Sequence, residues 1–490
     1  MRVFRSKGTA RAEARIKGQD YRSVMAVDTP NAYYTENLHK WRRCRDFVEG
    51  EDAVKRAGDL YVPRPSGLDD AEFEAYIQRG TFFNATQRTV DTLIGMVMSK
   101  PPQIEMPALL EAFSDYFDGA GSTAEDFARD AIADVLITGG GCAVADRPET
   151  PEGITTVAQE RAAGLRPYAA WYPVENVLDW RYATISGKRE LVFLKLEECW
   201  EDQPDEWDVK LKRQIRVFDM VEGAARVRVF RQDGQWVLHS EAMLRRANGS
   251  PFPYVPAVMF GPVKNEPEKP PLLDLIAVNR GHWQNSVDLE HGLHFTGLPT
   301  PYVSGYSFDG DDAVTLGSKT VVAFDAVGAK LEFAHFGSEG LAGLEKALER
   351  KEGQMAALGA RMLMAETSQA ESGEALAIRR GGENSALGKL ADSVSRSMEL
   401  LIETMGEWEG VTDAVSFRLN TDYLPKGMTA QDLTAAIAAV DRGYMSQMEF
   451  FDLMKAGGVV RDDKTYEEHQ EELDGMADRP LGGLNGDQPQ

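Results

Sequence analysis

The stretch from Ser338 to Trp408 constrains this chain more than any other, because it sets two long amphipathic patterns on either side of a polar break. In its first half Leu341, Leu344, Leu348, Met355, Leu358 and Met362 recur at helical spacing and draw one apolar stripe. The opposite face carries Glu345, Lys346, Glu349, Arg350, Lys351 and Glu352, a mixed-sign set suited to a solvated surface or to pairing with a neighbouring copy. Ala365 to Gly373 then reads AETSQAESG, small and polar, and is expected as a loop. A second series, Ala375, Ile378, Leu387, Leu390, Val394, Met398, Leu401, Met405 and Trp408, predicts another long helix. Gly381 and Gly382 interrupt it near the start, and glycine is among the poorest helix formers. The first third of this helix is therefore expected to bend.

Upstream lies the run PPLLDLIAVNRGHWQNSVDLEHGLHFTGLPTPYVSG, Pro270 to Gly305. Together with helix, polar loop and kinked helix, it resembles the second half of a tailed-bacteriophage portal protein, the head-to-tail connector. Tyr254 to Phe260 (YVPAVMF) resembles the family's wing strand leading into the stem, and ESGEALAIRR (Glu371 to Arg380) resembles the helix start after its loop. YIQRGTFFNATQRTVDTLIGMVMSKPP (Tyr76 to Pro102) is similar to the N-terminal part of one portal subfamily. The likeness runs over most of Tyr33 to Val460 and rests on order and spacing, since no one motif in it is diagnostic.

Size and charge bound the remaining options. A chain of 490 residues, 43% of them hydrophobic, can bury a substantial core in two or more lobes. Cys44, Cys142 and Cys199 lie far apart with no CxxC pair, so neither a zinc site nor a disulfide framework is expected, and a reducing cytoplasm fits. The start, MRVFRSKGTARAEARIKG, is basic but lacks an apolar core, and no uninterrupted apolar run reaches membrane-spanning length. Secretion and membrane insertion are therefore not expected. The net charge is −24, from 54 basic against 78 acidic side chains, the wrong sign for gripping phosphates. A conduit that lets a duplex slide without sticking is compatible with it, and so is acidity that merely aids solubility.

Along the chain, the first 27 residues contain seven Lys or Arg without apolar periodicity and read as a flexible arm. A helix is expected from Tyr33 to Val48 with Leu38, Trp41, Arg45 and Val48 on one side, and one continuous helix from Asp70 to Ser99. Further helices are expected at Ala108 to Phe117 and Ala124 to Ile137. Thr138-Gly-Gly-Gly141 has no following Lys in Walker spacing and no GxGxxG frame, so it reads as a tight turn into the strand CAVAD. Alternation at Leu191, Phe193 and Leu196, at Val209, Leu211, Ile215 and Val217, at Val227 and Val229, and at Trp236 and Leu238 predicts an antiparallel meander, with Asp233-Gly234 as one of its turns. The five tryptophans Trp171, Trp180, Trp200, Trp207 and Trp236 read as its core and rim.

From Leu272 through Leu275, Ile276, Asn279, Trp283, Val287, Glu290 and His294 the spacing predicts a helix closed by Gly297 and Pro299. His291 and His294 beside Glu290 lack further ligands and read as surface imidazoles. Short strands are expected at Tyr302 to Val303, Thr320 to Phe324 and Lys330 to Phe333. The acidic turn Asp309-Gly310-Asp311-Asp312 lacks the later Glu of a calcium loop. A strand at Val415 to Leu419 and a helical pair follow, the first helix capped by Thr429 with Asp432 and carrying Leu433, Ile437 and Val440, the second carrying Met448, Phe451 and Leu453.

No GxSxG, HExxH or P-loop occurs, so no catalytic, metal or cofactor residue is expected and the chain reads as a non-enzyme. The fold class is α+β. The resemblance implies a mostly helical portal fold with wing, stem, clip and crown-like regions and a long kinked helix after a tunnel loop. It divides the chain into a basic arm (1–27), an α+β wing (28–270), a first stem helix (271–297) and a clip (298–337). A second stem helix (338–364), the tunnel loop (365–373), the kinked helix (374–410), a wing or crown region (411–465) and a disordered acidic tail (466–490) follow.

The resemblance further implies a homo-oligomeric ring, a dodecamer in that family, at one capsid vertex of a virion assembled in host cytoplasm. Double-stranded DNA would pass through it without sequence recognition during packaging and ejection. Its partners would be copies of itself, the major capsid protein, the terminase large subunit and a tail adaptor protein, with no membrane. Glu366, Thr367, Ser368, Gln369, Glu371 and Ser372 would face the DNA, where the hydroxyls and amide bond phosphate weakly and the carboxylates repel it. Glu345, Lys346, Glu349, Arg350 and Lys351 would be stem charges, and Gly381 and Gly382 the hinge. The alternative is another virion structural protein, such as a scaffold or internal capsid protein, which has no need of that loop.

Overall fold

The computed structural model describes residues 26–111, 113–148, 153, 159, 163–202, 207–297, 300–305, 327–334, 338–362, 385–421, 445–456 and 464–468. Its helices are α1 (Ala32–Glu49), α2 (Glu51–Ala57), α3 (Asp70–Arg79), α4 (Ala85–Val97), α5 (Ala108–Glu111) and α6 (Ala124–Thr138), then α7 (Leu273–Gly297), α8 (Ser338–Arg361), α9 (Ala386–Glu409) and α10 (Gln447–Ala456). Its strands are β1 (Gln103–Glu105), β2 (Gly141–Asp146), β3 (Tyr168–Pro173), β4 (Val177–Ile185), β5 (Lys188–Asp202) and β6 (Lys210–Val221), then β7 (Ala224–Asp233), β8 (Gln235–Met243), β9 (Ala257–Phe260), β10 (Thr300–Ser304), β11 (Lys330–Ala334) and β12 (Ser416–Arg418). The chain is α+β and forms two compact units, Met1–Gly359 with Leu390–Leu419, and Ala360–Lys389 with Asn420–Gln490. Among the described residues no helix is long and apolar enough to cross a membrane.

In the first unit β5 to β8 form the expected antiparallel meander, and β4, which lies outside that expectation, adds a fifth strand at its start. Its turns at Ser186-Gly187, Glu222-Gly223 and Gly234 all use positive φ, the backbone twist that tight hairpins require. One face of this sheet meets α1, where Tyr34 and Trp41 pack with Leu178, Ile215 and Val217. The buried side of α1 is Tyr34, Trp41, Cys44 and Phe47; of the expected Leu38, Trp41, Arg45 and Val48, Trp41 is buried and Leu38 packs against its cluster, while Arg45 and Val48 stay half-buried. Arg45 turns that choice, because its guanidinium pairs with Glu175 at 2.8 Å and with Asp134 at the rim of the core. A second sheet orders its strands β3-β2-β9, and β1 pairs with β12 across more than 300 residues of sequence.

The glycine run after α6 is a packing device. Gly139 caps the helix at φ 83°, and added Cβ atoms at Gly139, Gly140 and Gly141 would meet Glu268 O at 2.3 Å, Phe260 O at 2.7 Å and the Trp171 ring at 2.3 Å. Only glycine lets backbone and indole approach so closely.

The expected helix from Asp70 to Ser99 is two helices. At Gly80 a Cβ would lie 2.5 Å from Val287 and 2.8 Å from Trp283, so the chain turns where α7 crosses it. Asn84 restarts the helix by accepting from Gln87 N at 3.0 Å. The helix expected over Ala108 to Phe117 is likewise shortened to α5 and a separate 3-10 turn at Ser114–Tyr116. Just beyond, Asp118 Oδ1 collects the amides of Ala120, Gly121 and Ser122 at 2.8 to 3.0 Å and fixes a non-helical loop.

The long helix α9 follows its predicted stripe: Leu390, Val394, Met398, Leu401, Met405 and Trp408 are all buried. Trp408 Nε1 donates to Ala145 O at 2.9 Å and its ring stands 4.7 Å from Phe252. Ser395 Oγ and Glu399 Oε1 receive the amides of Leu419 and Phe417, so the helix also holds the strand that follows it.

In the second unit Ser446 and Glu449 form a reciprocal cap on α10, with Glu449 N donating at 3.1 Å and Ser446 N at 2.8 Å. Phe451 is buried as expected, whereas Met448 is 58% exposed. The expected tail from 466 opens instead on a helical turn, Tyr466–Glu468, capped by Thr465 and with the Tyr466 ring 5.5 Å from Phe451.

Candidate functional site

The segments that the resemblance would make a stem are a pair of helices, α7 and α8. Three contacts fix their relation. Gly281 receives the stem of Lys351, His282 Nε2 lies 3.3 Å from Glu352 Oε1, and a Cβ on Gly292 would sit 2.6 Å from Leu341 Cδ2. Residue numbers rise along one helix as they fall along the other, so the two run antiparallel and approach closely where α7 has glycine.

Toward the body of the unit, α7 is held by Leu275, which joins Ala85 and Met355 in one buried cluster flanked by Phe83, Val278 and Leu358. Asn279 is wholly buried, and its Nδ2 donates to Thr86 Oγ1 at 2.9 Å. Ser286 Oγ donates to Thr81 O at 2.7 Å, while Gln284 Nε2 donates to Tyr61 O at 2.6 Å. These bonds between distant segments hold the first half of α7 in register with α4, the loop before it and the segment that follows α2.

His282 belongs to the same buried stripe, between Asn279 and Trp283, and is only 4% exposed. Burial pushes its pKa below the ordinary imidazole value, against the pull of Glu352. The ring is therefore neutral at pH 7 and donates through Nε2 to the Glu352 carboxylate. Sequence reading passed it over in favour of His291 and His294. The signal was present all the same, since 279, 282, 283 and 286 share one helical face.

His291 stands edge-on to Tyr76 at 4.9 Å and to Phe295 at 4.7 Å, and its pKa is lowered by burial first and then by Arg79 and His294. His294 Nε2 lies 3.4 Å from Arg79. The neighbourhood is mixed in charge, since Asp288 accepts from the Tyr76 hydroxyl on the same side.

Of the charges on α8 expected as stem charges, Glu345, Lys346, Glu349 and Arg350 are exposed. Lys351 departs from that set. It is half-buried against Gly281, and burial followed by the neighbouring Arg350 lowers its pKa. Leu341, Leu344 and Leu348 are only half-buried, whereas Met355 farther along the same stripe is 2% exposed. The pair is thus sealed at one end and leaves an apolar strip partly open at the other, beside the exposed Leu293 and Phe295 of α7.

Glu366, Thr367, Ser368, Gln369, Glu371, Ser372, Gly381 and Gly382 lie outside the described residues, as do the expected strand Thr320 to Phe324, the turn at Asp309 to Asp312 and the helix opened by Thr429. Within the span 298–337, β10 and β11 pair antiparallel, Thr300 with Ala334 through Ser304 with Lys330.

The family described as a domain of unknown function (DUF4055) matches residues 271–409, the span from α7 to the end of α9. No curated protein matches the chain. Among solved structures, it is similar to a chain of "Neck of native GTA particle computed with C12 symmetry", at 12% identity and a TM-score of 0.37 over 82% of this chain and 97% of that one. A chain of "Neck of empty GTA particle computed with C6 symmetry" is similar at 13% identity and a TM-score of 0.37, over 83% and 98% of the two chains.

Proposed function

We propose that this chain is the subunit of a portal-type connector: copies close into a ring at one capsid vertex, and double-stranded DNA is packaged and later ejected through the hole. The observation that carries the reading is the antiparallel pair α7 and α8, closed against its own unit at Met355 and half-open along Leu341, Leu344 and Leu348. A stripe of that kind is satisfied by the same helix pair in a neighbouring subunit, which buries apolar area that one chain leaves wet. The exposed mixed charges on the far side then stay in water or pair between subunits.

In this reading the subunit is a conduit and not an enzyme. A net charge of −24 keeps phosphates from adhering, and the work of packaging comes from a separate ATPase that docks on the ring. Capsid protein, terminase large subunit and tail adaptor are its partners, the loop 365–373 with its hinge at Gly381 and Gly382 meets the DNA, and the virion is its location.

Light scattering and negative-stain imaging of the full chain test this. Rings of many subunits are the expected result, and a subunit that stays monomeric across concentration and salt would sink the reading.

A further inference from the structure

Helix α8 carries its exposed charge in rows of one sign. Glu345 and Glu349 stand one turn apart and so do Lys346 and Arg350, two like-charge pairs at a spacing that weakens an isolated helix. One turn from Arg350 lie Lys346, Ala347, Gly353 and Gln354, and one turn from Glu345 lie Leu341, Ala342, Leu348 and Glu349, so neither meets an opposite charge along its own helix. Only Lys346 and Glu349 have the spacing for an internal pair. All four side chains are exposed, and none is ion-paired or hydrogen-bonded among the described residues. Glu352, third in the acidic row, is by contrast taken up by His282 at 3.3 Å.

The rows are placed to serve a contact. At about 100° per residue, Glu345 and Glu349 flank the half-open strip of Leu341, Leu344 and Leu348, and Lys346 and Arg350 lie about 100° farther round the helix. One edge of α8 is thus apolar and acidic, the other basic. The two suit each other, because Lys and Arg stems cover apolar surface while their heads reach a carboxylate. A single copy cannot fold its two edges together, since both belong to one helix; a second copy can supply the missing edge.

Height along the helix sets the register. Subunits related by rotation about an axis that runs along the helix pair keep every residue at its own level, and Glu345 and Lys346, like Glu349 and Arg350, differ by one residue, about 1.5 Å of rise. Under such a rotation Glu345 comes level with Lys346 of the next copy, and Glu349 with its Arg350. Rows displaced by several residues would miss one another.

We propose that α8 is a self-recognition surface: Lys346 and Arg350 of one copy lie over the leucine strip of the next and pair with its Glu345 and Glu349. Two different edges meet, so the contact is head-to-tail and repeats from copy to copy. The inference rests on the connector reading for its rotation axis and goes beyond it in naming the charges that join.

Charge exchange in the full chain tests it, with assembly followed by mass photometry. Glu345→Lys with Glu349→Lys makes both edges basic, and Lys346→Glu with Arg350→Glu makes both acidic. Each of these variants alone should need on the order of tenfold or more protein to assemble. An equimolar mixture of the two should assemble near the parent's concentration, in multimers larger than a dimer, and so should a chain carrying all four exchanges. A second readout does not depend on reversed charge: Glu349→Cys with Arg350→Cys, in a Cys199→Ser background, is oxidised after assembly. It should give a ladder of dimers, trimers and higher multimers on non-reducing gels, whereas each single cysteine gives dimers at most. Reversed chains that assemble like the parent, a mixture that stays dissociated, or assembled double-cysteine chains without a ladder would overturn this inference and leave the connector reading standing. A parent chain that never assembles would overturn both.

Discussion

The helices α8 and α9 have the same length, 24 residues, and both carry a regular apolar stripe, yet the fold treats them differently. Every stripe position of α9 from Leu390 to Trp408 is buried, Ser393, Ser395, Ser397 and Thr404 are buried as well, and only the line of Asp392, Arg396, Leu400 and Glu403 is exposed. Its hydroxyls turn back onto its own carbonyls, as Ser395 Oγ does to Ala391 O at 2.8 Å and Thr404 Oγ1 to Leu400 O at 2.7 Å. Among the described residues of α8 only Met355 is buried, with Met362 just past its end, while Leu341, Leu344 and Leu348 keep part of their surface in water. An amphipathic pattern thus states that a helix has a side to bury, and leaves open whether the cover is the same chain or another.

The sharpest way to break this comparison is to truncate both helices. Leu401→Ala in α9 should cost about 2 to 5 kcal/mol of stability, the range for a buried leucine that leaves a cavity, whereas Leu344→Ala should cost under about 1 kcal/mol in the dissociated chain. Urea unfolding of the two variants decides it, and equal losses would mean that α8 is already fully packed in one subunit. The double variant Leu344→Lys, Leu348→Lys should leave that unfolding midpoint nearly in place and abolish the assembled species seen by mass photometry.

Gly80→Ala comes next, at about 1 to 3 kcal/mol, because the new methyl meets Val287 and the Trp283 ring inside contact distance and overpacks the crossing of α7. A thermal melt no lower than that of the parent would contradict so close a crossing.

A smaller, pH-dependent effect belongs to His282. Its folded pKa lies below the unfolded value of about 6.5, so its neutral form is the one the fold prefers. The stability it contributes is present above about pH 6.5 and is lost as pH falls through the lowered pKa. His291, also lowered, acts with the same sign. Melting the parent and His282→Gln from pH 8 to pH 5 should show a shallower acid decline in the variant. Parallel curves would remove His282 from the contact between α7 and α8. The least effect is expected for Arg350→Ala, within about 0.5 kcal/mol, since its side chain is exposed.

Much of the architecture was legible in order along the chain. The meander, the strand after the glycine run, α7 and the stripe of α9 all followed from period and turn chemistry, because each of those signals is local. The break between α3 and α4 was not legible. RGTFFN contains a glycine and a capping asparagine, but what stops the helix at Gly80 is Trp283 and Val287, some 200 residues later. The face of α1 was legible at Leu38 and Trp41 but not at Arg45, which could be placed only once Asp134 and Glu175 stood beside it.

Sequence by itself determined which segments are helical or extended, where most of them end, and that the chain is strongly acidic, because dihedral preference, side-chain period and charge are properties of short stretches. Tertiary structure alone decided which of two equal stripes is covered and that His282 sits neutral between helices. Burial depends on what lies opposite, and the chain brings those partners from hundreds of residues away.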